Sequence, residues 1–461
     1  MKTKLAFTAA AALALTMALA NSPAYSQAKN KWVAAWCGAI QGPYPVGNPS
    51  AQPDLSFAFP NAEEGAEDQS FRLMVRPDIW GPQVRIRMSN VLGTRPVTFD
   101  GIYVGLQQGS SAVMHGTNRQ VSFSGKTSVT IAAGESAWSD AIVLPFAKSG
   151  DPKLLEGRRL AVSFHVVGQS GPMTWHAKSL NTSFISRPRA GSVGQSEDEQ
   201  NFPYSTNSTY FLDAVDMMAP ATAQVVAAFG DSITDGTSTT LNGDDRWPDV
   251  LSRRLHARYG NRVSVVNAGI GGNQVVGPAS YSAQKPFPGG PSAISRVERD
   301  LIALSGVSTV IWLEGINDFS KNGNAAVDDV VKGMRDVVAR LRKEIPGVRV
   351  LGATVTSALG STSAAHGHVE QNDKRKALNE FIRSDGLFDD VLDFDAATLD
   401  TASGGLKAEY VPDGTSGGPG DKLHPNRAGY QAMAGAIPLA KVVNAFRTGR
   451  ERKIVDAPGS N

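Results

Sequence analysis

The sequence predicts two folded units in series: an all-β sandwich of jelly-roll type, then an α/β unit built on a parallel sheet. Three observations carry this. Residues 32–212 run in short alternating apolar and polar stretches broken by Gly and Pro, with no long helical period. Near Ala219 the pattern changes to apolar strands alternating with amphipathic helices, the mark of a doubly wound parallel sheet. Polar motifs then follow directly after three of those strand-like runs, at the sheet end where such folds hold their ligands.

The first 27 residues read as an export signal. Lys2 and Lys4 precede an Ala/Leu-rich stretch from Leu5 to Ala20, and small residues at Ser22, Ala24 and Ser26 suit cleavage between Ala20 and Ala28. A secreted or periplasmic protein is therefore expected. A membrane anchor fits less well, because the apolar stretch is short and lacks a charged stop. Removing Lys2 and Lys4 leaves 43 of the 45 basic side chains against 43 acidic ones. No basic field then remains to attract nucleic acid or anionic lipid. Later apolar runs are too short for a membrane span in the mature chain. The single cysteine, Cys37, excludes an internal disulfide and reads as a small buried side chain between Trp36 and Gly38.

The first unit is expected over 28–217. Short strands are read at 71–76, 84–89, 120–123, 129–131, 141–144 and 160–164. Five of the seven tryptophans lie here: Trp32, Trp36, Trp80, Trp138 and Trp175. Aromatic platforms can stack on sugars, so glycan contact is one reading; core packing is the one we favour.

The second unit is expected over 218–450, with a mobile tail at 451–461. Strands are read at 225–229, 263–267, 309–313, 348–353 and 391–394, and helices at 247–259, 295–304, 327–343, 373–383 and 426–446. In 327–343 the residues Val330, Val331, Met334, Val337, Val338 and Leu341 recur at three- and four-residue steps and make one apolar face.

Four segments carry chemistry: Gly230-Asp231-Ser232-Ile233, Gly271-Gly272-Asn273, Gly315-Ile316-Asn317-Asp318 and Asp421-Lys422-Leu423-His424-Pro425. Ser232, in a strand-to-helix turn, is the candidate nucleophile; an N-cap serine is the plainer reading of that turn alone. The N–H of Ser232, the N–H of Gly272 and the side-chain amide of Asn317 are the candidate oxyanion donors. An amide donates without titrating, and a residue without Cβ lets an oxygen approach its N–H. His424, in a polar loop entering a helix, is the candidate base, whereas His366 and His368 are expected in an exposed loop. Asp421, three residues before His424, can orient its ring. Asp231 and Asp318 are expected to brace the loops. No regular His, Asp or Glu spacing suggests a metal, and no cofactor is expected. Such a set suits acyl transfer through a serine ester.

The +2 residue is Thr234, and acid and base share one local motif, unlike the G-x-S-x-G elbow. Gly230-Asp231-Ser232-Ile233-Thr234-Asp235-Gly236 resembles the first block of the SGNH (GDSL) hydrolase superfamily. Gly272, Gly315-x-Asn317-Asp318 and Asp421-x-x-His424-Pro425 match its later blocks. The resemblance covers about 223–446. It implies a flavodoxin-like three-layer fold, metal-free ester hydrolysis, and the roles above for Ser232, Gly272, Asn317, Asp421 and His424. Arg246-Trp247-Pro248-Asp249 and the stretch 388–395 look like a subgroup of secreted bacterial members that carry a β-sandwich ahead of the hydrolase. The Gly-rich stretch 412–420 is longer than the family's usual approach to its acid and could instead be a lid.

A small-molecule or polymer ester is the expected substrate. Tyr281 and Phe287, in the loop 275–291 that leaves from Gly272, are candidate pocket residues; ordinary packing explains them equally well. Transfer of the acyl group to a glycan, and a non-catalytic glycan-binding protein, are the alternatives to hydrolysis.

Overall fold

The computed structural model describes residues 30–148 and 152–444. The expected export signal and the expected tail lie outside the described residues.

The first unit is β-rich and antiparallel. One five-stranded sheet contains β1 (Asn30–Cys37), β3 (Gln83–Ser89) and β6 (Leu212–Pro220) in the order β1-β6-β3. An eight-stranded sheet is centred on β2 (Glu67–Val75), β5 (Leu160–Gln169) and β4 (Val97–Gly109). Aromatic side chains fill the space beside it. Phe71 stacks on Phe164 at 5.2 Å, and Phe99 meets Phe211 at 5.1 Å. Trp175 and Trp80 are buried. Trp32 and Trp138 are half-buried and flank the Arg85 guanidinium at 4.8 and 4.2 Å, so those ring faces are already covered. Cys37 is buried, its Sγ donating to the Asn267 carbonyl at 3.2 Å, and burial pushes its thiol pKa up.

A three-stranded sheet of Gly42–Pro43, Thr174–His176 and Thr209–Tyr210 leans toward the second unit. It carries forward Gln41, His176 and, two residues beyond its strand, Lys178.

The second unit is a flavodoxin-like α/β domain. Its five strands are β7 (Gln224–Gly230), β8 (Val263–Gly269), β9 (Val307–Leu313), β10 (Arg349–Ala353) and β11 (Asp390–Leu392). All pair in parallel, in the order β8-β7-β9-β10-β11. Every residue of β7 is buried, as expected of a parallel strand covered on both faces. Helices α1 (Ser232–Asp235), α2 (Trp247–Tyr259), α3 (Val327–Glu344), α4 (Val369–Ser384) and α5 (Arg427–Gly435) include the main crossovers.

On α3 the expected apolar face packs on the core with Val331 at its half-buried edge, and Gly333, without a Cβ, lets the helix approach Val275 and Val276. Several sequence expectations are corrected. The helix expected at 295–304 is Ala293–Val297 followed by a π-helical turn, Glu298–Ile302. The helix expected at 373–383 begins at Val369, because the His368 ring accepts the Gln371 N–H as an N-cap. The helix expected at 426–446 stops at Gly435. Pro438, which lacks an N–H, separates it from a short turn at Leu439–Val442. The strand expected at 391–394 ends at Leu392, where Asp393 caps the helix Phe394–Thr398.

The two units share a polar seam. Ala34 of β1 donates to the Ser305 carbonyl and accepts from the Ser264 hydroxyl at 2.8 and 2.7 Å. Arg76 reaches Asp249 at 2.6 Å, and Asp249 also pairs with Arg246, so the Arg246–Asp249 segment both caps α2 and docks the β-rich unit. Between those two guanidinium groups the Asp249 carboxyl is held below the ordinary carboxylate range despite burial. Among the described residues no helix is long and apolar enough to cross a membrane.

Candidate active site

Three strand ends of the parallel sheet converge. Ser232 follows β7 by two residues, Gly272 follows β8 by three, and Asn317 follows β9 by four. Asp231 caps α1, its carboxylate accepting the Ile233 N–H at 2.9 Å, and this fixes Ser232 as the first helical residue. The Ser232 hydroxyl lies 2.8 Å from His424 Nε2. His424 Nδ1 lies 2.6 Å from Asp421 Oδ2, while Asp421 Oδ1 accepts the N–H groups of Leu423 and His424 at 2.9 Å each. Burial raises the Asp421 carboxyl, but the bond to His424, the ring's charge and the two N–H groups outweigh it and hold it well below the usual carboxylate range. The carboxylate can therefore only accept from Nδ1, which leaves Nε2 facing the serine.

Among the described residues, neither the Ser232 N–H nor the Gly272 N–H has a hydrogen-bond acceptor. Gly272 sits at φ +82°, a region that disfavours side chains, and a Cβ there would stand 2.8 Å from Asn48 Nδ2. Asn317 spends one N–H on the Asn273 carbonyl at 2.9 Å and keeps the other. Asp318 accepts the Val275 and Val276 N–H groups at 2.8 and 3.0 Å, tying the second loop to the third; burial pushes its carboxyl up to about 6.

The five motif residues border one open cleft of ≈ 420 Å³. Phe287 lines it. Tyr281 does not: its hydroxyl donates to the Gln41 carbonyl at 2.7 Å, which turns the ring onto the β-rich unit. His366 also lines the cleft, half-buried, where an exposed loop was expected. Gln371 explains this: its Oε1 accepts the Gly367 N–H, and its Nε2 reaches the His366 Nδ1 at 2.7 Å. Burial first, and the neighbouring His424 second, lower the His366 pKa to about 4. The stretch 412–420 is tied down, with the Gly414 N–H bonded to the Ser238 carbonyl and the Thr415 hydroxyl to that of Thr239.

The β-rich unit supplies residues that sequence reasoning missed. Asn48 Nδ2 donates to the Gly271 carbonyl at 2.8 Å, and Gln41 Nε2 to the same oxygen at 3.1 Å. Both also reach the Pro288 carbonyl. His176 Nε2 lies 3.1 Å from Asp235 Oδ1, and Asp235 Oδ2 accepts the Gly271 N–H at 3.0 Å. Both ring nitrogens of His176 face only acceptors (Ala39 O, Lys178 O and Asp235 Oδ1), which suits a doubly protonated ring; burial opposes that charge, and Asp235 outweighs it. Beneath the loops, buried Arg296 lies 3.8 Å over Phe229 and donates to Gly230 O, Ala268 O and Asn273 Oδ1. No residue spacing in the sequence signals these contacts. Among the described residues no three His, Cys, Asp or Glu side chains are grouped as a metal ion would need.

Residues 228–432 match the model of the GDSL-like lipase/acylhydrolase family. No curated protein matches the chain. Similar solved structures include an aryl esterase of M. smegmatis, at 18% identity over 46% of this chain and 96% of that one, with a TM-score of 0.35. A carbohydrate acetylesterase family member of Sinorhizobium meliloti is 19% identical over 46% and 94%, with a TM-score of 0.34. A lipase/acylhydrolase of Enterococcus faecalis is 19% identical over 46% and 92%, with a TM-score of 0.33.

Proposed function

We propose that this chain, an ester hydrolase by its GDSL-like lipase/acylhydrolase domain at residues 228–432, cleaves short acyl esters of polyhydroxylated alcohols through an acyl-enzyme on Ser232. The observation that carries the mechanism is the unbroken line from the Ser232 hydroxyl through His424 to Asp421, at 2.8 and 2.6 Å. Ser232 Oγ attacks the ester carbonyl while His424 Nε2 takes its proton. The oxyanion rests on the N–H groups of Ser232 and Gly272 and on the Asn317 amide. Each such donor is worth about 3–4 kcal/mol to the transition state. The imidazolium, steadied by Asp421, returns its proton to the leaving alcohol, and water deacylates the serine by the same steps in reverse.

The cleft lining supports the substrate class. Gln274, Asn322 and Ser363 offer amide and hydroxyl groups, with Phe287 the one large apolar ring. A long alkyl chain would leave those polar groups unpaired on binding, whereas a sugar-like alcohol would pair them. In this reading the first unit is a jelly-roll-like sandwich that contributes Asn48 and Lys178 to the edge of the cleft, and the protein works outside the cytoplasm. Ser232→Ala tests the mechanism: turnover of p-nitrophenyl acetate should vanish while circular dichroism stays as in the wild type. Turnover near wild type would refute the nucleophile.

A further inference from the structure

Lys178 is an unusual lysine. Its residue is only 4% exposed, yet it borders the same cleft as Ser232 and His424. It comes from the β-rich unit, two residues after the strand Thr174–His176. Its ammonium carries three N–H donors, and among the described residues its one hydrogen-bond partner is the neutral Thr237 hydroxyl. No carboxylate oxygen of the described residues stands within 4.0 Å of it. It is the one Lys or Arg in the cleft lining. The one carboxylate there, Asp421, is committed to His424 and two N–H groups.

The place of the ammonium relative to the reacting loop is also fixed. A Cβ built on Gly271 would stand 3.1 Å from Lys178 Nζ, so the charge lies directly against the loop that presents the Gly272 N–H. Burial pulls the Lys178 pKa below the ordinary lysine value, with Asp235, Asp421 and Asp231 pulling the other way. A buried cation short of acceptors is costly, and it is stabilised by any anion that enters beside it.

We infer that Lys178 is a specificity-determining residue that reads a carboxylate carried by the alcohol part of the ester, so that acetylated acidic sugars are preferred over neutral ones. This rests on the esterase reading above. A carboxylate on the sugar would complete the donor set of Lys178 with charge-assisted hydrogen bonds, and its ester group would lie over Gly272. Lys178 neither gives nor takes a proton in the reaction.

The test compares a mono-O-acetylated methyl hexopyranoside with the corresponding methyl hexuronate glycoside, acetylated at the same hydroxyl. Acetate release is measured with the full chain. The wild type should show kcat/KM at least about tenfold higher on the uronate, mainly through KM. In Lys178→Met that ratio should fall to about one, and in Lys178→Arg it should stay above one. A wild-type ratio of one, or loss on both substrates in equal proportion in Lys178→Met, would overturn the inference and make Lys178 a structural counter-ion to Asp235. The wild-type ratio needs no variant, so a misfolded Lys178→Met leaves the test intact. If neither sugar ester is cleaved and a fluorophosphonate leaves Ser232 unlabelled, the esterase reading fails and this inference falls with it.

Discussion

Asn48 Nδ2 holds the Gly271 carbonyl at 2.8 Å across 223 residues of sequence. One amide of the β-rich unit thereby grips the peptide that carries the Gly272 N–H. Asn48→Ala should lower kcat for p-nitrophenyl acetate by about three- to tenfold, the weight of one hydrogen bond, with KM changed less. Steady-state kinetics checks it. A rise in KM alone would instead make Asn48 a substrate contact.

Asp421→Asn keeps the size of the side chain but loses the acceptor that fixes the His424 tautomer. The expected loss in kcat is about 10³–10⁴-fold with the fold retained. Activity within tenfold of wild type would move the acid elsewhere.

Arg296 is fully buried and donates to three strand-end or loop groups as well as to Glu314 at 3.0 Å and Asp300 at 3.1 Å. Arg296→Met removes the shared donor and leaves those acceptors buried. A destabilisation of about 3–5 kcal/mol is expected, read as a fall in the urea midpoint. A shift below about 1 kcal/mol would show that the strand ends hold themselves.

His366 gives a pH test of stability. Its folded pKa, about 4, lies below the unfolded value of about 6.5. Below the unfolded value the unfolded chain binds the extra proton, so stability is present above pH 6.5 and is lost as pH falls from there toward 4. Asp421 acts in the same sense: its depressed pKa stabilises the fold above the unfolded value near 3.9 and is lost as pH falls below it. His366→Asn should remove about 1–3 kcal/mol of the acid sensitivity between pH 6.5 and 4, less what solvent screens at the exposed edge of the ring. Urea melts at pH 7 and pH 4.5 check it. An unchanged difference between the two would place the ring in water.

The legible part of the site is the local part. Ser232, Gly272 and Asn317 each sit within four residues of a buried parallel strand, so strand pattern and motif together locate them. Asp421 and His424 share one turn. The β-rich unit's contribution is invisible for a physical reason. Gln41, Asn48, His176 and Lys178 are single polar residues without period or motif, and only the docking of a second unit gives them partners. Tyr281 shows the converse error. Nearness in sequence to Gly272 does not tell which side of the loop faces the cleft, and the Gln41 carbonyl decides it. The helix expected at 426–446 is shorter in the structure because Pro438 has no N–H with which to continue it.

The most direct measurement is covalent. The full chain is incubated with a fluorophosphonate and digested, and the modified peptide is sequenced by mass spectrometry. One stoichiometric adduct on Ser232 is expected, and it should disappear in His424→Ala, which lacks the base. No adduct, or an adduct on another serine while Ser232 stays free, would contradict the assignment of Ser232 and His424 as nucleophile and base.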